Sequence, residues 1–572
     1  MSRKRSAVLG VLATAVLAAQ VSAARIDVSN ASIPAGATVS WTNTNTYVLH
    51  GKVVVKAGSR LNIQAGTVIY GAGAPVSDSV SMLIVARDGR VYATGTAAQP
   101  IIFTSILDTG SHQPLAISDN SRGLWGGINV YGRAPCNTPG GVDNSYSSDI
   151  TITDTSWITF GDSGNVTSAA TYAKNCYDTS GVFEYVSVRY TGAADMSEIK
   201  GLMFCGVGAG TVVDHCEVFM CNEDGLNFTG GTVNAKYLIS AFQAGDALML
   251  QGGYTGNIQY VFAIQTVITS STKNGCMSKW ESGDFSYTPI TNAHVYNATF
   301  IGTGVNNPDT WKYNYGLYIK DRAAGTFANS ILTQCSHYGV YVEDYLDAGD
   351  STGSRYHLDN DSTLVIKNDI FWGFGKGNGT DSIFEGLPFL QSYATMPAFM
   401  NDTVDPGLGG LGWARTGLLD PRPSATGPAT MHVGTVPTGG FFDQTTYRGA
   451  FAPTGSLWAA GWSVLSDPKG SVFTTGATGI ANHNLTAGKT ASGLKITGQG
   501  DVRILSWSQE YAARSTVRLF SANGRLVRTF DNGTMSAGVH TASISLKDIP
   551  AGVYMLQATC ADLVKSSLVE KN

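Results

Sequence analysis

Charged side chains are scarce in this chain. Lys and Arg number 37 and Asp and Glu number 42 among 572 residues, so 14% of the sequence is charged, against about 25% in an average globular domain. The net charge of −5 is small for this length, and the sequence has no basic stripe of the kind that binds nucleic acid. Stretches rich in Glu, Lys and Leu, which favour helices, are almost absent. The composition therefore excludes a nucleic-acid-binding protein and argues against a helical fold.

Short catalytic and metal-binding motifs are missing too. The sequence has no H-E-x-x-H, G-x-S-x-G or P-loop pattern. Its nine His residues are scattered, and no C-x-x-C pair offers a zinc site. Motifs therefore predict no cofactor.

Only one long apolar run occurs, at the N-terminus. Arg3-Lys4-Arg5 precede the apolar residues 7–19, and the small residues Val21-Ser22-Ala23 follow them. This order is typical of a secretory signal peptide, here residues 1–23. No later run approaches the roughly 18 to 20 apolar residues that cross a bilayer. We expect a secreted mature protein with no membrane span of its own.

Glycine is abundant, with 68 residues, and short alternating strands recur between glycine-rich turns. Residues 211–218 are echoed 21 residues later by 232–239, and further echoes follow at 257–263, 294–301, 326–332 and 364–371. A period in the low twenties with three short strands per coil is typical of a solenoid. The sequence predicts an all-β fold, a right-handed parallel β-helix over residues 24–375. A β-sandwich with irregular loops is the alternative.

The remaining chain divides into three predicted parts. Residues 376–465 hold many Gly and Pro, and we expect an irregular segment that wraps the last coils and caps their open edge, which otherwise invites strand addition. Residues 466–501 are dominated by Gly, Thr, Ser and Asn, which predicts a flexible linker. Residues 502–572 form a separate C-terminal domain.

The C-terminal domain contains two predicted hairpins. Asn523-Gly524 lies between two alternating runs, a strong hairpin signal because both residues accept positive φ. A second turn at Pro550-Ala551-Gly552 leads into a strand that starts with Val553-Tyr554, and a last strand surrounds Lys565. This layout resembles the C-terminal sorting domain of type IX secretion in Bacteroidetes and related phyla, with Ile549 in place of the usual leucine. The resemblance implies a small β-sandwich that the secretion machinery recognises at the outer membrane and removes, releasing the body or linking it to surface lipopolysaccharide.

Several motifs in the body resemble a second family. They are Trp125-Gly126-Gly127, Asn222-Glu223-Asp224-Gly225, Gly230-Gly231-Thr232-Val233, Asp420-Pro421-Arg422-Pro423 and Gly440-Phe441-Phe442-Asp443. Together they are similar to exported β-helix proteins of Bacteroidetes-like bacteria, over residues 40–465. The resemblance implies a surface protein more than a particular reaction. Relatives carry consecutive aspartates where this chain reads Ala244-Gly245-Asp246, which weakens any cation site there.

Acidic residues recur at the spacing of one coil. Asp224 and Asp246 are 22 residues apart, so we expect them to stack with backbones roughly 4.8 Å apart. With Glu223 they could hold Ca²⁺, which prefers six to eight oxygen ligands; the alternative is a polar turn column in which Asp accepts backbone hydrogen bonds. Lys320-Asp321 and Glu343-Asp344 repeat in the same way and predict an ion pair of Lys320 with Glu343 between coils.

Six tyrosines fall on two neighbouring predicted coils: Tyr313, Tyr315, Tyr318, Tyr338, Tyr341 and Tyr345. On a flat solenoid face they would stack against sugar rings. Alternatively, they simply fill strands, where Tyr is favoured.

Export makes disulfides the expected state of the cysteines. The plausible pairs are Cys136 with Cys176, Cys276 with Cys335, and Cys205 with Cys216 or Cys221.

Polysaccharide lyases and polygalacturonases share the β-helix scaffold, so a carbohydrate-active enzyme is one alternative. Arg322 beside Asp321 and Arg189 near Glu184 are the best catalytic candidates. Neither pair forms the carboxylate cluster that such sites need, and the low overall charge argues against a cleft for acidic sugars. We therefore predict no catalytic residues and a structural or adhesive role at the cell surface, with polysaccharide as the expected ligand. A surface-layer or filament subunit is the other alternative.

Overall fold

A computed structural model describes the body of the chain over residues 24–73, 80–108, 122–138, 141–143, 152, 154–162, 174–193, 199–266, 273–280, 287–307, 314–346, 353–413, 417–438, 440–466 and 472–474. Towards the C-terminus it describes residues 495–497, 502–509, 513–521, 526–535, 538–560 and 563–571. The predicted signal peptide and most of the predicted linker lie outside these ranges. The chain divides into two compact units, Met1–Gly479 and Ile480–Asn572.

The strands of the first unit are, in chain order, β1 Ala24–Val28, β2 Thr38–Trp41, β3 Asn45–Leu49, β4 Lys52–Val55, β5 Arg60–Ile63, β6 Val68–Gly71, β7 Met82–Val85, β8 Arg90–Thr94, β9 Ile101–Ser105, β10 Ile128–Tyr131, β11 Val142–Asp143, β12 Phe160–Gly161, β13 Gly181–Arg189, β14 Leu202–Cys205, β15 Val212–Phe219, β16 Leu226–Thr229, β17 Asn234–Ala241, β18 Leu248–Gln251, β19 Asn257–Ile264, β20 Cys276–Ser278, β21 Asn292–Ile301, β22 Leu317–Ile319, β23 Ala324–Ala328, β24 Ile331–Cys335, β25 Val340–Val342, β26 Leu364–Lys367, β27 Ile370–Phe374, β28 Leu408–Gly410 and β29 Asp420–Pro423. Its α-helices include α1 Ser354–Asp359, α2 Thr380–Ile383 and α3 Pro388–Ala394, and 3₁₀ turns lie at Asn30–Ser32, Thr155–Ile158, Pro428–Thr430 and Val464–Ser466. The strands of the second unit are β30 Lys495–Thr497, β31 Val502–Gln509, β32 Ala513–Ser521, β33 Leu526–Met535, β34 Gly538–Ser545, β35 Gly552–Cys560 and β36 Leu563–Lys571.

The first unit is a parallel β-helix, as the sequence predicts. Neighbours in its large sheet follow the order β1-β3-β6-β9-β13-β15-β17-β19-β21-β23-β26, with further strands paired beside this path. A nine-stranded sheet follows the order β4-β7-β10-β14-β16-β18-β20-β22-β25. Pairing within both sheets is parallel. Each step along either order therefore advances the solenoid by one coil.

The long strands of the large sheet turn a corner within the coil. β13 pairs with β8 through residues 181–184 and with β9 through residues 186–188, leaving out Tyr185. Tyr185 has a φ of 50°, in the left-handed region, which bends the chain. Left-handed residues recur at the same corner in successive coils, and together they form the corner column: Tyr185, His215, Tyr237, Tyr260, Asn297, Asn329 and Asn368.

Aromatic stacking accompanies the left-handed residues in the first half of the corner column. Ring centroids are 4.3 Å apart between Tyr185 and His215 and 4.3 Å between His215 and Tyr237. The next pair, Tyr237 and Tyr260, is 4.7 Å apart. Left-handed backbone disfavours such residues by about 1–2 kcal/mol each, and we infer that stacked rings offset part of this strain.

Apolar side chains from three rows of strands fill the interior. Cys216, Leu238 and Val261 lie in register on one row, and they belong to a core that runs from the first coil to the last. Val212 pairs with Asn234, 22 residues later. The spacing is thus in the predicted low twenties, although the echo at 21 residues is one residue out of register.

Helices close the last coil of the solenoid. Ile383 of α2 and Leu390 and Tyr393 of α3 are buried in the same continuous core. Their apolar side chains cover the end that would otherwise expose the interior of the final coil.

A strap, defined as residues 428–466, then runs back along the corner column. Asn368 Nδ2 donates to the His432 carbonyl at 2.8 Å, and Asn329 Nδ2 donates to the Gly434 carbonyl at 2.8 Å. The strap therefore docks on the side chains of successive coils.

The strap reaches further back than the sequence predicts. Trp462 packs edge-on against His215, with ring centroids 5.9 Å apart. The Val464 N–H donates to the buried Glu217 carboxylate at 2.9 Å. Glu217 lies in β15, well before the last coils that the segment was expected to wrap.

The second unit holds two antiparallel sheets, β30-β31-β34 and β33-β32-β35-β36. β32 pairs with β33, and the predicted Asn523-Gly524 turn between them lies outside the described residues. The other predicted sorting residues lie in or just before the last two strands: Pro550, Ala551, Gly552, Val553, Tyr554 and Lys565. The Tyr554 hydroxyl donates to the Pro550 carbonyl at 2.8 Å. The sandwich arrangement and the sorting role stay predictions.

The predicted disulfides are not formed in the structure. Cys216, Cys221, Cys276 and Cys335 are free thiols packed in the continuous core, and Cys136 is a free thiol in a second apolar cluster. Each predicted pair includes at least one of these thiols, so the pairings were wrong. The thiols serve as small apolar side chains.

Within the described ranges, no helix is both long and apolar enough to span a membrane.

Candidate functional site

The predicted acidic residues form a buried polar column. The Asp246 N–H donates to Asp224 Oδ1 at 2.8 Å, so the two aspartates stack one coil apart. Asn274 continues the column, donating its N–H and its Nδ2 to Asp246 Oδ1, each at 2.8 Å. These contacts match the turn column that was the alternative to a cation site.

Lysines supply positive charge at this column. Lys200 Nζ lies 3.5 Å from Asp224 and 3.7 Å from Glu223. Burial acts to raise the pKa of Asp224, but the attraction of Lys200 and Lys273 lowers it overall. Burial and then the charge of Asp224 raise the pKa of Asp246 to about 6.

A metal site does not emerge from the geometry of the described chain. Among the residues described, no group of three or more His, Cys, Asp or Glu side chains could hold a metal ion. Calcium at Glu223, Asp224 and Asp246 stays a prediction, and Lys200 already supplies positive charge to Glu223 and Asp224.

The structure brings five of the six predicted tyrosines together, and Tyr313 lies outside the described residues. Tyr318 of β22 and Tyr341 of β25 are register partners, with ring centroids 4.5 Å apart and planes at 23°. Their strand neighbours point into the core, so both rings lie on the outer face of the nine-stranded sheet. Tyr315 contacts Tyr318 and Tyr338 at centroid distances of 5.1 Å and 5.9 Å.

The tyrosines differ in their access to solvent. Tyr315 is only 3% exposed, so its prediction as a sugar-stacking residue is wrong: neighbouring rings already cover it. Tyr318, Tyr338 and Tyr341 are half-buried. Tyr345 is 41% exposed, and its hydrogen bond to Glu343 raises its pKa to about 12.

The structure separates the first candidate catalytic pair, Arg189 and Glu184. Arg189 is buried and donates from Nε to Ser187 Oγ at 2.8 Å, whereas Glu184 lies on the other side of the corner at Tyr185. The corner therefore separates Arg189 from Glu184, although the two residues are close in sequence.

Near the second candidate pair, Asp321 forms an ion pair with Lys320 at 3.1 Å. The Asp321 N–H donates to the Glu343 carboxylate at 2.5 Å. The link between these coils is therefore a backbone-to-carboxylate hydrogen bond, and the predicted pairing of Lys320 with Glu343 is replaced by the ion pair within one coil.

A polar cleft of about 630 Å³ lies beside the early coils, and the sequence analysis missed it. Its lining residues are Asp88, Arg90, Arg133, Asp162, Lys174, Asn175, Tyr177, Asp178 and Thr179. We call it the Arg133 cleft.

Arg133 holds three aspartates of this cleft in place. Its Nε and Nη2 donate to the two carboxylate oxygens of Asp88 at 2.8 Å and 2.6 Å. Its Nη1 lies 3.6 Å from Asp162, and its backbone N–H donates to Asp178 at 2.9 Å. The hydrogen bond from Arg133 lowers the pKa of the Asp88 carboxyl, which keeps that group ionised.

The cleft is lined by equal numbers of acidic and basic residues and by one solvent-exposed aromatic ring. Three aspartates face the three cations Arg90, Arg133 and Lys174, so the formal charge of the lining is zero. Tyr177 is 73% exposed at the cleft. The site therefore combines hydrogen-bond donors, acceptors and an aromatic face.

The cleft could not be read from the strand period, because its residues come from distant segments. Asp88 follows β7, Arg133 follows β10, and Lys174 to Thr179 precede β13. The available signal is the long stretch between β10 and β13, which exceeds the length of one coil and therefore marks an excursion from the solenoid.

Comparison with known families agrees with the fold. Residues 33–367 match the family model described as "Pectate-lyase like beta helix domain", a span that covers more than half of the chain and includes both the cleft and the tyrosines. No curated protein matches the chain.

Proposed function

The chain belongs to the pectate-lyase-like β-helix family, and from this premise we propose that it is an adhesive protein that binds a neutral polysaccharide at the Arg133 cleft. The fold alone does not decide function. The observation that supports the proposal is the cleft itself, whose 630 Å³ lies within the roughly 300–1,000 Å³ of typical ligand sites.

The lining suits a ligand rich in hydroxyl groups. Sugar hydroxyls both donate and accept hydrogen bonds, and the cleft presents carboxylates as acceptors beside guanidinium and amide donors. Asn175 Nδ2 donates to Asp162 at 2.7 Å, and Arg133 holds Asp88 in a two-point contact. These contacts fix the polar groups before a ligand arrives, which reduces the ordering that binding requires.

The charge balance favours an uncharged ligand. Because the aspartates and cations of the lining are equal in number, an anionic or cationic sugar gains no net attraction. Tyr177, open to solvent beside the cleft, provides a flat apolar face for the C–H groups of a sugar ring.

The electrostatics favour binding over hydrolysis. A glycosidase needs one carboxyl group that stays protonated to act as general acid, which requires a raised pKa. The hydrogen bond from Arg133 shifts the pKa of Asp88 in the opposite direction. A carbohydrate-active enzyme is therefore the second candidate, and turnover of a bound glycan would establish it.

A glycan array at low and high salt tests the proposal. We expect the mature protein to bind neutral polysaccharides without cleaving them, with an affinity that changes little with salt because no net charge is neutralised. Preference for uronate-rich glycans with strong salt dependence would refute the neutral ligand. No binding on any glycan, together with ordered assembly of the purified protein, would favour a filament or surface-layer subunit.

Variants locate the binding site. Tyr177→Ala removes an exposed ring and should weaken binding about 3- to 10-fold, corresponding to about 0.5–1.5 kcal/mol of stacking. Leu107→Ala is the matched control, since Leu107 is 56% exposed and does not line the cleft. Equal affinity of both variants would place the ligand elsewhere.

We also infer export to the outer surface through the type IX machinery, with polysaccharide or surface lipopolysaccharide as further partners. The support is the leader at residues 1–23 and the resemblance of the tail around Pro550-Ala551-Gly552. Deletion of residues 502–572 in the native bacterium should retain the body on the inner side of the outer membrane. The intact chain should reach the cell surface, where its tail is removed. Surface display of the deleted form would refute this route.

A further inference from the structure

We infer that the protein holds one polysaccharide chain at two points, the Arg133 cleft and a tyrosine ridge, defined as Tyr318, Tyr341 and Tyr345. This inference rests on the proposed function, since it takes the neutral glycan of the cleft as the ligand of both sites.

Both sites lie beside the turns that follow strands of the nine-stranded sheet. The cleft residues Asp88 and Arg133 follow β7 and β10. Lys320 and Glu343, which lie beside the ridge, follow β22 and β25. All four strands run parallel in one sheet, so the turns after them line one edge of the solenoid.

The distance between the sites follows from the strand order. β10 and β22 are separated by β14, β16, β18 and β20. Five steps of roughly 4.8 Å place the two sites about 24 Å apart along the axis. A single polysaccharide chain can span this distance, whereas a disaccharide cannot.

A described strip of chain, residues 134–138, connects successive coils on the way from the cleft towards the ridge. The Ala134 N–H donates to the Gly206 carbonyl at 2.7 Å, and the Asn137 N–H donates to the Gly252 carbonyl at 3.0 Å. Residues 134–138 thus follow the edge from the turn after β14 to the turn after β18. Within this strip, Ala134, Cys136 and Asn137 are buried.

The ridge offers the same chemistry as the cleft. Tyr345 is 41% exposed, and Glu343 accepts a hydrogen bond from its hydroxyl. Lys320 and Asp321 form an ion pair at 3.1 Å in the adjoining coil. An open tyrosine beside a paired cation and carboxylate therefore occurs at both points, which fits repeating units of one polymer.

Binding at two points changes how affinity depends on chain length. After one site is occupied, the second binding event is intramolecular, and the gain reaches about 10²- to 10⁴-fold when the ligand can reach both sites. A short fragment occupies only one site and gains nothing.

The experiment compares a neutral polysaccharide with its trisaccharide on five forms of the full mature chain: wild type, Tyr177→Ala, Tyr345→Ala, Tyr345→Phe and the double alanine variant. We expect the wild type to bind the polymer at least about 100-fold more tightly than the trisaccharide. Each single alanine variant should weaken binding of the polymer about 3- to 10-fold, which corresponds to about 0.5–1.5 kcal/mol of stacking lost with one ring. Tyr345→Phe keeps the ring and should retain the gain, and equal melting temperatures exclude unfolding.

The outcomes separate the two proposals. If Tyr345→Ala binds the polymer as the wild type does while Tyr177→Ala is weakened, the cleft is the single site and the two-point inference is overturned. If the polymer and the trisaccharide bind the wild type equally per site, the inference is overturned as well. If neither binds the wild type, the proposed function itself fails.

Discussion

Asn329 joins a late coil to the strap, and its replacement should loosen the strap by a calculable amount. Its side chain exchanges two hydrogen bonds with Gly434: Nδ2 donates to the carbonyl at 2.8 Å, and Oδ1 accepts from the N–H at 2.7 Å. Each such bond contributes about 1 kcal/mol. Asn329→Gly should therefore lower the free energy of local strap opening by about 2 kcal/mol.

Asn329→Ala should also lower the free energy of global unfolding, for a separate reason that resides in the coil. Asn329 has a φ of 56°, and alanine is disfavoured in the left-handed region by about 1–2 kcal/mol. Together with the lost hydrogen bonds, this predicts a decrease of about 3–4 kcal/mol. The difference between the two variants isolates the backbone strain.

Amide hydrogen exchange of peptides from residues 428–466 measures the local opening of the strap. Ser362 provides the control, because it has the same φ of 56° but is exposed; Ser362→Gly and Ser362→Ala should leave exchange of the strap unchanged. Wild-type protection of the strap in Asn329→Gly would show that these hydrogen bonds do not hold it. Equal free energies of unfolding for Asn329→Gly and Asn329→Ala in denaturant titrations would refute the strain argument.

Three further predictions follow from burial. Trp462→Ala should lower the free energy of unfolding by about 3–5 kcal/mol in denaturant titrations, because a fully packed ring leaves a cavity; an unchanged midpoint would contradict this. Burial raises the pKa of Asp246 from its ordinary value of 3.8 to about 6, so its contribution to stability is greatest below pH 4 and is lost as the pH rises through 6. Asp246→Asn should therefore stabilise the fold by about 3 kcal/mol at pH 8 and not at pH 4. Cys276 and Cys335, buried with raised pKa values, should resist a thiol reagent until the chain unfolds; fast labelling of the native protein would contradict their burial.

The strand period was readable because inward-facing side chains repeat from coil to coil. The predicted repeat at residues 257–263 is observed as the strand Asn257–Ile264. The predicted strand at 326–332 is instead divided at Asn329 into β23 and β24. The alternation of apolar and polar residues continues across Asn329. The asparagine, which tolerates left-handed backbone, was therefore the available sequence signal for the corner.

In earlier coils the same corner is formed by aromatic residues, which nothing in the sequence predicts in left-handed backbone. His215 and Tyr237 adopt left-handed backbone, where Gly or Asn would be expected. Because their stabilisation comes from rings in neighbouring coils, it depends on contacts that local propensity does not report. The Arg133 cleft escaped prediction for a related reason, since Asp88 and Arg133 are 45 residues apart and meet only because β7 and β10 pair.

The backward course of the strap has a mechanical consequence. In an ordinary solenoid each repeat touches only its neighbours, so the array can unzip one coil at a time from a frayed end. Here one segment, the strap, forms hydrogen bonds with Asn368, Asn329 and Glu217, which lie on three different coils. Peeling off the last coils under shear must therefore also break the contacts of Asn368 and Asn329 with the strap, which raises the force that the solenoid withstands.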